Sequence, residues 1–271
     1  MRPGPPEAPP AFPAPALESG SLFRLDGKVA LLAGGYGGLG EHLADALVAA
    51  GAAVAIAGRS REKAERAAAR NDGSSIGVEL DVVDRGSVDS AVDRIVEELG
   101  RLDIVVNCAS VLVEQPAAEF SEDEWRRVVD TNLTGAFLLS QAAVRPMVAQ
   151  GDGGRIVHFS STRSIAGGRR GFAAYSASKG GLNTLVKQLA TEWARHGVTV
   201  NAVAPGFVAT EFVEAAASDE SFRRMLLARI PAGRFGEPLE IAAAAVFLAT
   251  PAASFITGQV IFVDGGVTAS T

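Results

Sequence analysis

Cysteine and histidine are scarce in this chain of 271 residues, which contains one cysteine and three histidines. The single cysteine, Cys108, excludes an internal disulfide and is typical of a protein in a reducing compartment. The histidines are too scattered in the sequence to predict a metal site. Uninterrupted apolar runs of the roughly 18–20 residues that span a bilayer are also missing. We therefore expect a soluble, cytoplasmic protein that holds no metal and does not enter a membrane.

Positive charge is in the minority: 25 lysines and arginines stand against 31 aspartates and glutamates, so the formal net charge is −6. With an isoelectric point of about 5.2, the chain is expected to bind neither nucleic acid nor a membrane surface. Apolar residues make up 48% of the sequence and charged residues 21%. This is an ordinary globular composition, and the chain is long enough to bury a sizeable core.

Proline is concentrated at the N-terminus, where residues 1–20 hold seven of the 13 prolines. Closely spaced prolines remove backbone donors and favour an extended conformation, so neither helix nor sheet is expected there. We predict a disordered leader over residues 1–22. The alternative is a tail that docks into an aromatic-lined groove.

Beyond residue 23, short apolar runs alternate with segments of helical spacing. Strands buried on both faces are predicted at seven runs, 28–33, 53–57, 76–80, 104–106, 155–159, 198–203 and 260–263. Helices are predicted up to residue 50 and at 61–70, 87–99, 122–149 (with one or more breaks), 173–195 and 239–248. This alternation predicts one α/β domain over residues 23–271, with a parallel seven-stranded sheet and helices on both faces. Residues 213–234 interrupt the pattern as a long insertion.

A glycine-rich stretch, AGGYGGLG at residues 33–40, follows the first predicted strand and opens a helix. Gly34, Gly38 and Gly40 permit a tight turn and bring a helix N-terminus to a pyrophosphate group. The predicted nucleotide contacts in this stretch are Gly34, Tyr36, Gly37, Gly38, Leu39 and Gly40. A glycine turn without a ligand is the alternative.

The second predicted strand ends in GRSR at residues 58–61 and carries no carboxylate there. An NAD site usually places an acid at this point to accept a hydrogen bond from the ribose 2′-hydroxyl. Arg59, followed by Ser60, can instead pair with a 2′-phosphate. The sequence therefore favours NADP(H) over NAD(H). In the alternative interpretation, Arg59 and Arg61 are solvated charges at a helix start.

Tyr175 and Lys179 lie four residues apart in the segment YSASK and hence on one face of a predicted helix. A free tyrosine has a pKa of about 10 and is a poor base near neutrality. A nearby lysine, helped by a nicotinamide cation, stabilises the phenolate and lowers that pKa. The pair is therefore a candidate for proton transfer, with an ordinary helix surface as the alternative.

Taken together, these motifs resemble the short-chain dehydrogenase/reductase family over about residues 25–266. The glycine stretch is similar to the family's TGxxxGxG pattern with Ala33 in place of threonine, and residues 107–110 (NCAS) to its NNAG pattern. NAVAPGFVAT at 201–210 and VDGG at 263–266 also match. The likeness is strongest to the branches of gluconate 5-dehydrogenase and of 3-oxoacyl-carrier-protein reductase. It implies a Rossmann-type doubly wound sheet and hydride transfer between nicotinamide and a carbonyl or secondary alcohol.

The resemblance also implies roles for four side chains. Ser161 would polarise the substrate oxygen, with Ser160 and Ser164 as alternatives, because an inferred one-residue insertion lies before the tyrosine. Tyr175 would carry the proton, and Lys179 would bind the nicotinamide ribose. Asn132 would hold a water beside the lysine, with a helix kink or cap as the alternative. Since all four are present, the rival interpretation of a non-catalytic dinucleotide sensor is disfavoured.

Further cofactor contacts follow from the same resemblance. Asp81 and the Val82 backbone would meet the adenine, although a turn or cap aspartate is the alternative. The remaining implied contacts are Asn107 and Ala109 after the fourth strand, and Pro205, Gly206, Val208 and Thr210 in the nicotinamide loop.

Substrate specificity is expected from the loop at 164–172 and from the insertion at 213–234, which would form a lid. The two segments and their margins contain seven arginines that are candidates for recognising a carboxylate or phosphate: Arg163, Arg169, Arg170, Arg223, Arg224, Arg229 and Arg234. Solvated surface arginines are the alternative. The family resemblance also implies a homo-oligomer, most often a tetramer.

Overall fold

The computed structural model describes residues 20–71, 73, 75–168, 171–210 and 219–270. Within this part of the chain, seven strands form one parallel sheet in the order β3-β2-β1-β4-β5-β6-β7. The strands are β1 (Val29–Ala33), β2 (Ala53–Gly58), β3 (Ser75–Glu79), β4 (Ile104–Asn107), β5 (Gly154–Phe159), β6 (Val198–Pro205) and β7 (Val260–Val263). Their bounds differ from the predicted ones by at most two residues, so the predicted fold class is confirmed.

Helices cover both faces of the sheet. They are α1 (Leu39–Ala49), α2 (Arg61–Ala68), α3 (Arg85–Leu99), α4 (Glu122–Val129), α5 (Gly135–Gln150), α6 (Ala173–Trp193), α7 (Glu220–Leu227) and α8 (Pro238–Ala249). One apolar core joins the sheet to α3, α5 and α6, and a second core joins its other face to α1 and α8. In the described residues, no helix has both the length and the apolar character that a membrane span requires.

The strands read as continuous apolar runs because both faces are covered. In β1, Leu31 and Ala33 belong to the core beneath α3, α5 and α6, whereas Ala30 and Leu32 belong to the core beneath α1 and α8. Successive side chains of a strand point to opposite faces, so each face takes every second residue.

The strand order reverses between β1 and β4, and this reversal positions the site. Successive strands are added in opposite directions on the two sides of such a point. This leaves a crevice at the carboxyl ends of the strands. The last residue of β1, Ala33, pairs with Asn107 at the end of β4. Asn107 in turn pairs with His158 of β5. The glycine stretch therefore opens beside residues 107–110.

The break predicted in the helix at 122–149 is a π-helical turn: α4 runs through Asp130–Thr134 into α5. The predicted disordered leader ends too late, because Ser21–Phe23 form a 3-10 turn and Phe23 stacks on Phe247 with ring centres 6.5 Å apart. Residues 1–19 and 211–218 lie outside the described residues, and α7 is the described helix of the predicted insertion.

A chain of polar side chains crosses the centre of the sheet. His158 is fully buried, and its Nε2 lies 2.9 Å from Ser140 Oγ. The Ser140 hydroxyl donates its one proton to the carbonyl of Ala136, at 2.7 Å, so it must accept from Nε2–H. This leaves Nδ1 as the acceptor for the Asn107 amide at 3.4 Å. Burial, together with the charge of Lys179, lowers the pKa of His158 to about 3.

The low pKa of His158 predicts a pH-dependent stability. As the pH falls below about 6.5, this histidine is protonated in the unfolded chain but stays neutral in the folded chain. The free energy of unfolding therefore falls by about 1.4 kcal/mol for each pH unit. We expect His158→Gln, which does not titrate, to remove this part of the slope in urea unfolding followed between about pH 7 and about pH 5. His42→Gln, at an exposed histidine, is the control and should keep it. Equal slopes for both variants would contradict the assignment.

Candidate active site

The glycine turn after β1 is closed against its surroundings. Gly34 has φ of +80°, and a Cβ there would lie 2.9 Å from the backbone nitrogen of Ala109. A Cβ on Gly40 would collide with the carbonyl oxygen of Gly34. A Cβ on Gly37 meets nothing within 4 Å. The turn is thus tightly packed on the protein side and open on the other, as a cradle for a ligand must be.

An open cavity of about 280 Å³ lies over this turn. It brings together nine of the residues predicted from the sequence: Gly34, Gly37, Leu39, Gly40, Ser161, Tyr175, Lys179, Pro205 and Gly206. Four more residues, Cys108, Ser110, Phe159 and Ser160, complete its lining. The predicted pyrophosphate turn, the tyrosine–lysine pair and the nicotinamide loop therefore face one space.

Lys179 is buried beneath the cavity, at 2% exposure. Its Nζ donates to the Phe159 carbonyl at 2.6 Å and lies 5.6 Å from the centre of the Tyr175 ring. Burial lowers the pKa of Lys179 to about 8. The ammonium is therefore held beside the phenol by the end of β5.

The phenol of Tyr175 is subject to opposing effects. Burial raises its pKa above the ordinary value, while the hydroxyls of Ser161 and Ser110 and the charge of Arg163 act to lower it. Removal of the phenolate from water outweighs these favourable contacts. The lowering expected from Lys179 together with a nicotinamide cation stays a prediction.

The three candidate serines differ in what their hydroxyls contact. Ser161 lines the cavity with Tyr175, where it acts to lower the pKa of the phenol, and its hydroxyl accepts from the backbone N–H of Arg163 at 3.2 Å. The Ser160 hydroxyl donates to Asn183 Oδ1 at 2.6 Å, away from the phenol. The Ser164 hydroxyl donates to the carbonyl of Ser161 at 2.5 Å. The geometry thus brings Ser161, and neither alternative, to the tyrosine.

Asn132 lies in the π-helical turn and is buried. Its Oδ1 accepts from Val111 N at 2.7 Å and from the Ser110 hydroxyl at 3.1 Å. Its Nδ2 donates to the Val111 carbonyl at 2.9 Å and to Ser178 Oγ at 3.1 Å. The amide therefore fixes the loop after β4 to α6, and the expected role in holding a water stays a prediction.

Tyr36 and Arg59 meet at the end of β2, outside the cavity. The Tyr36 phenol oxygen accepts from Ser60 N at 3.0 Å, and its ring covers Gly58 so closely that a Cβ at residue 58 would collide with it. The Arg59 side chain is exposed and makes neither an ion pair nor a hydrogen bond with a described residue. Its guanidinium is thus available to an anion.

The other predicted contacts have local partners and do not line the cavity. Asp81 Oδ1 accepts from Val83 N at 3.2 Å, which makes the turn that was the alternative interpretation. Val82 is buried, and a Cβ on Gly135 would lie 2.9 Å from it. Asn107 Oδ1 accepts from Ala109 N at 3.2 Å. Val208 is buried and Thr210 half-buried, next to the end of a described range.

Cys108 lines the cavity, but its thiol is expected to be unreactive. Its thiol donates to the carbonyls of Ala33 at 3.1 Å and Gly34 at 3.3 Å, and burial raises its pKa to about 12. A thiolate is therefore disfavoured. In the described ranges, no group of three or more histidine, cysteine, aspartate or glutamate side chains is arranged to hold a metal ion.

Comparison with known proteins decides the family. Residues 34–268 match the family described as enoyl-(acyl carrier protein) reductase. Gluconate 5-dehydrogenase of Gluconobacter oxydans is 39% identical over 92% of this chain and 98% of its own. The chain is a short-chain dehydrogenase/reductase. It is therefore a nicotinamide-dependent oxidoreductase that acts on CH–OH groups.

Two further relatives of this short-chain dehydrogenase/reductase carry different names. The 3-oxoacyl-[acyl-carrier-protein] reductase of Salmonella typhimurium is 39% identical over 89% of this chain and 98% of its own. The crystal structure of a gluconate 5-dehydrogenase from Burkholderia cenocepacia, in complex with NADP and tartrate, has a TM-score of 0.88 and 38% identity. That comparison covers 93% of this chain and 99% of the other. Both branches suggested by the sequence motifs are thus represented.

Sequence reasoning missed Ser110 as a residue of the site. Its hydroxyl donates its one proton to Asn132 Oδ1 at 3.1 Å, and it also acts to lower the pKa of Tyr175. The available signal was the departure from the family pattern NNAG, in which the last residue has no side chain. In this short-chain dehydrogenase/reductase, a serine at that point adds a hydroxyl beside the phenol.

We expect Ser110→Ala to raise the pKa of Tyr175, because the hydroxyl that acts to lower it, by turning from Asn132 Oδ1 to the phenolate, is lost. Alcohol oxidation requires the phenolate as base, so the midpoint of its pH–rate profile should move upward. A hydrogen bond of about 1 kcal/mol corresponds to an upward shift of about 0.7 pH units. Ser160→Ala, which removes a hydroxyl bonded to Asn183, should leave the midpoint unchanged. A downward shift in Ser110→Ala would contradict the assignment.

Proposed function

We propose that this enzyme interconverts a keto group and a secondary hydroxyl of a sugar acid, as in the pair 5-keto-D-gluconate and D-gluconate, with NADP(H). The observation that carries the proposal is the cavity in which Ser161, Tyr175 and Lys179 face the glycine turn. The named gluconate relatives support the substrate class. A 3-oxoacyl thioester is the second candidate, supported by the carrier-protein reductase relative.

In the proposed mechanism each side chain has one task. Ser161 donates a hydrogen bond to the substrate oxygen and orients it, and Tyr175 gives that oxygen a proton in reduction or removes it in oxidation. Lys179 has one hydrogen bond to Phe159 and keeps further protons for the ribose hydroxyls. Asn132 would anchor a water of the proton relay through its backbone, since its side-chain amide already makes four hydrogen bonds. When bound, the nicotinamide supplies or accepts the hydride.

The residues present suit a dinucleotide with a 2′-phosphate. The cradle formed by Gly34, Gly37 and Gly40 fits a pyrophosphate, and the free guanidinium of Arg59 fits the additional phosphate. NADP(H) is therefore proposed as the preferred cofactor over NAD(H). Adenine contacts at Asp81 and Val82, and further contacts at Asn107, Ala109, Pro205, Gly206, Val208 and Thr210, belong to the same proposal.

The cofactor proposal predicts a selective loss in Arg59→Ala. Removing a charge-assisted contact with phosphate should raise the Kd of NADPH on the order of 10- to 100-fold and leave that of NADH unchanged, as measured by fluorescence quenching. Arg61→Ala is a matched control, since Arg61 is paired with Glu65 at 2.7 Å. Equal changes for both cofactors, or NADH binding as tight as that of NADPH to wild type, would refute the role of Arg59.

The substrate proposal is tested by steady-state kinetics with NADPH. We expect a higher kcat/KM for 5-keto-D-gluconate than for an acetoacetyl thioester, because the latter offers no polyhydroxy acid to recognise. The reverse order would favour the carrier-protein reductase function. Tight NADPH binding with no turnover of either compound, or of simple ketones, would favour the non-catalytic sensor.

We further propose a cytoplasmic homotetramer. The exposed edge strand β7, the full exposure of Phe255 and the 62% exposure of Leu239 leave apolar surface for another copy to cover. Sedimentation velocity would measure the assembly, and a monomer at micromolar concentration would refute it. The single cysteine, with its thiol bonded and protonated, supports a reducing compartment.

A further inference from the structure

The arginines that the sequence offers for anion recognition fall into two groups where the structure describes them. Arg234 pairs with Glu240 at 2.7 Å, and Arg224 lies 3.9 Å from Glu220. Arg163, by contrast, has no acidic partner in the described residues, and neither do Arg229 and the exposed Arg223. Arg169 and Arg170 lie outside the described residues. A cation without an acid beside a cavity is where an anionic ligand gains most.

Neutral groups hold the guanidinium of Arg163 in place. Its Nη1 donates to the carbonyl of Gly167 at 3.2 Å, and the group lies 5.2 Å from the centre of the Phe172 ring. A Cβ on Gly168 would lie 2.5 Å from the same nitrogen. The side chain is half-buried rather than free in solvent. It is therefore preorganised, while its charge is left uncompensated.

The position of Arg163 connects it both to the reacting groups and to the segment just after α7. Its backbone N–H donates to Ser161 Oγ at 3.2 Å. Its charge acts on Tyr175, and the charge of Arg229, just after α7, acts on Arg163. Burial has the largest effect and lowers the pKa of Arg163, and the charge of Arg229 lowers it further, whereas the charge of Tyr175 raises it. Arg163 thus acts on the phenol and also lies close enough to a second cation, Arg229, to be repelled by it.

We propose that Arg163, assisted by Arg229, binds the carboxylate of the substrate while Ser161 and Tyr175 hold its carbonyl or hydroxyl oxygen. This subsite rests on the proposed function and assigns to it the residue that distinguishes a sugar acid from a neutral sugar. An arriving carboxylate relieves the repulsion between the two guanidinium groups and matches the planar fork of Arg163. A thioester or a neutral ketose gains nothing from either effect.

A binding experiment tests the subsite without relying on turnover. D-gluconate is titrated calorimetrically into protein saturated with NADPH, and D-gluconamide, which replaces the carboxylate by a neutral amide, is titrated in parallel. We expect wild type to prefer gluconate, and Arg163→Gln to weaken gluconate binding on the order of 10- to 100-fold. Gluconamide binding should change by less than about threefold. Arg229→Gln should cause a smaller loss of the same kind.

The controls separate recognition of the carboxylate from support of the loop. Arg224→Gln removes a cation of α7 that already faces Glu220, and should bind gluconate like wild type. Arg163→Lys keeps the charge and should recover part of the loss. The Kd of NADPH and the Tm of each variant should match wild type. If Arg163→Gln weakens both ligands equally or lowers Tm markedly, Arg163 only supports its loop and the proposal is wrong.

The remaining outcomes separate this proposal from the proposed function. Equal affinity of wild type for gluconate and gluconamide, or no binding of gluconate, overturns the subsite even if 5-keto-D-gluconate is reduced. Preferential binding of D-glucitol 6-phosphate over gluconate overturns the assignment to a carboxylate. Arg163-dependent binding of gluconate without turnover of 5-keto-D-gluconate supports the subsite and refutes the substrate.

Discussion

The ammonium group of Lys179 is removed from water and donates a hydrogen bond to the carbonyl of Phe159 at the end of β5. Because no carboxylate neutralises it in the described residues, its charge reaches the groups around it. It helps to keep His158 neutral and opposes the rise in the pKa of the Cys108 thiol. Its hydrogen bond also joins α6, the helix that carries Tyr175, to the central sheet. The site is built around this buried cation.

Positive charge without an acidic partner in the described part of the chain recurs at this edge of the sheet. Arg59 lies at the end of β2, Lys179 lies beneath the cavity, and Arg163 lies near enough to the phenol for its charge to act on it. The chain as a whole carries a net charge of −6, so these cations stand out against an acidic background. A phosphorylated dinucleotide and an acidic substrate, bound end to end, would place negative charge at both ends of the crevice.

The sheet was predictable because each strand is apolar on both faces. The helices between the strands carry the chain back, so that every strand runs in the same direction. The tyrosine–lysine pair was predictable because a helix brings residues four apart onto one face. Sequence spacing does not show which group each polar side chain pairs or hydrogen-bonds with. Whether Arg163 meets an acid, or whether the amide of Asn132 is fully occupied, depends on side chains more than twenty residues away. The net shift of the Tyr175 pKa likewise depends on burial, which no motif encodes.

Tyr36 and Gly58 occupy one small volume at the end of β2. Any side chain at residue 58 meets the Tyr36 ring, which would have to turn away and give up its hydrogen bond to Ser60. The two positions are therefore epistatic: an aspartate or glutamate at residue 58 becomes acceptable after Tyr36 has been replaced by something smaller. A lineage that moves between the two nicotinamide dinucleotides by this route has to change the glycine turn first and the strand end second.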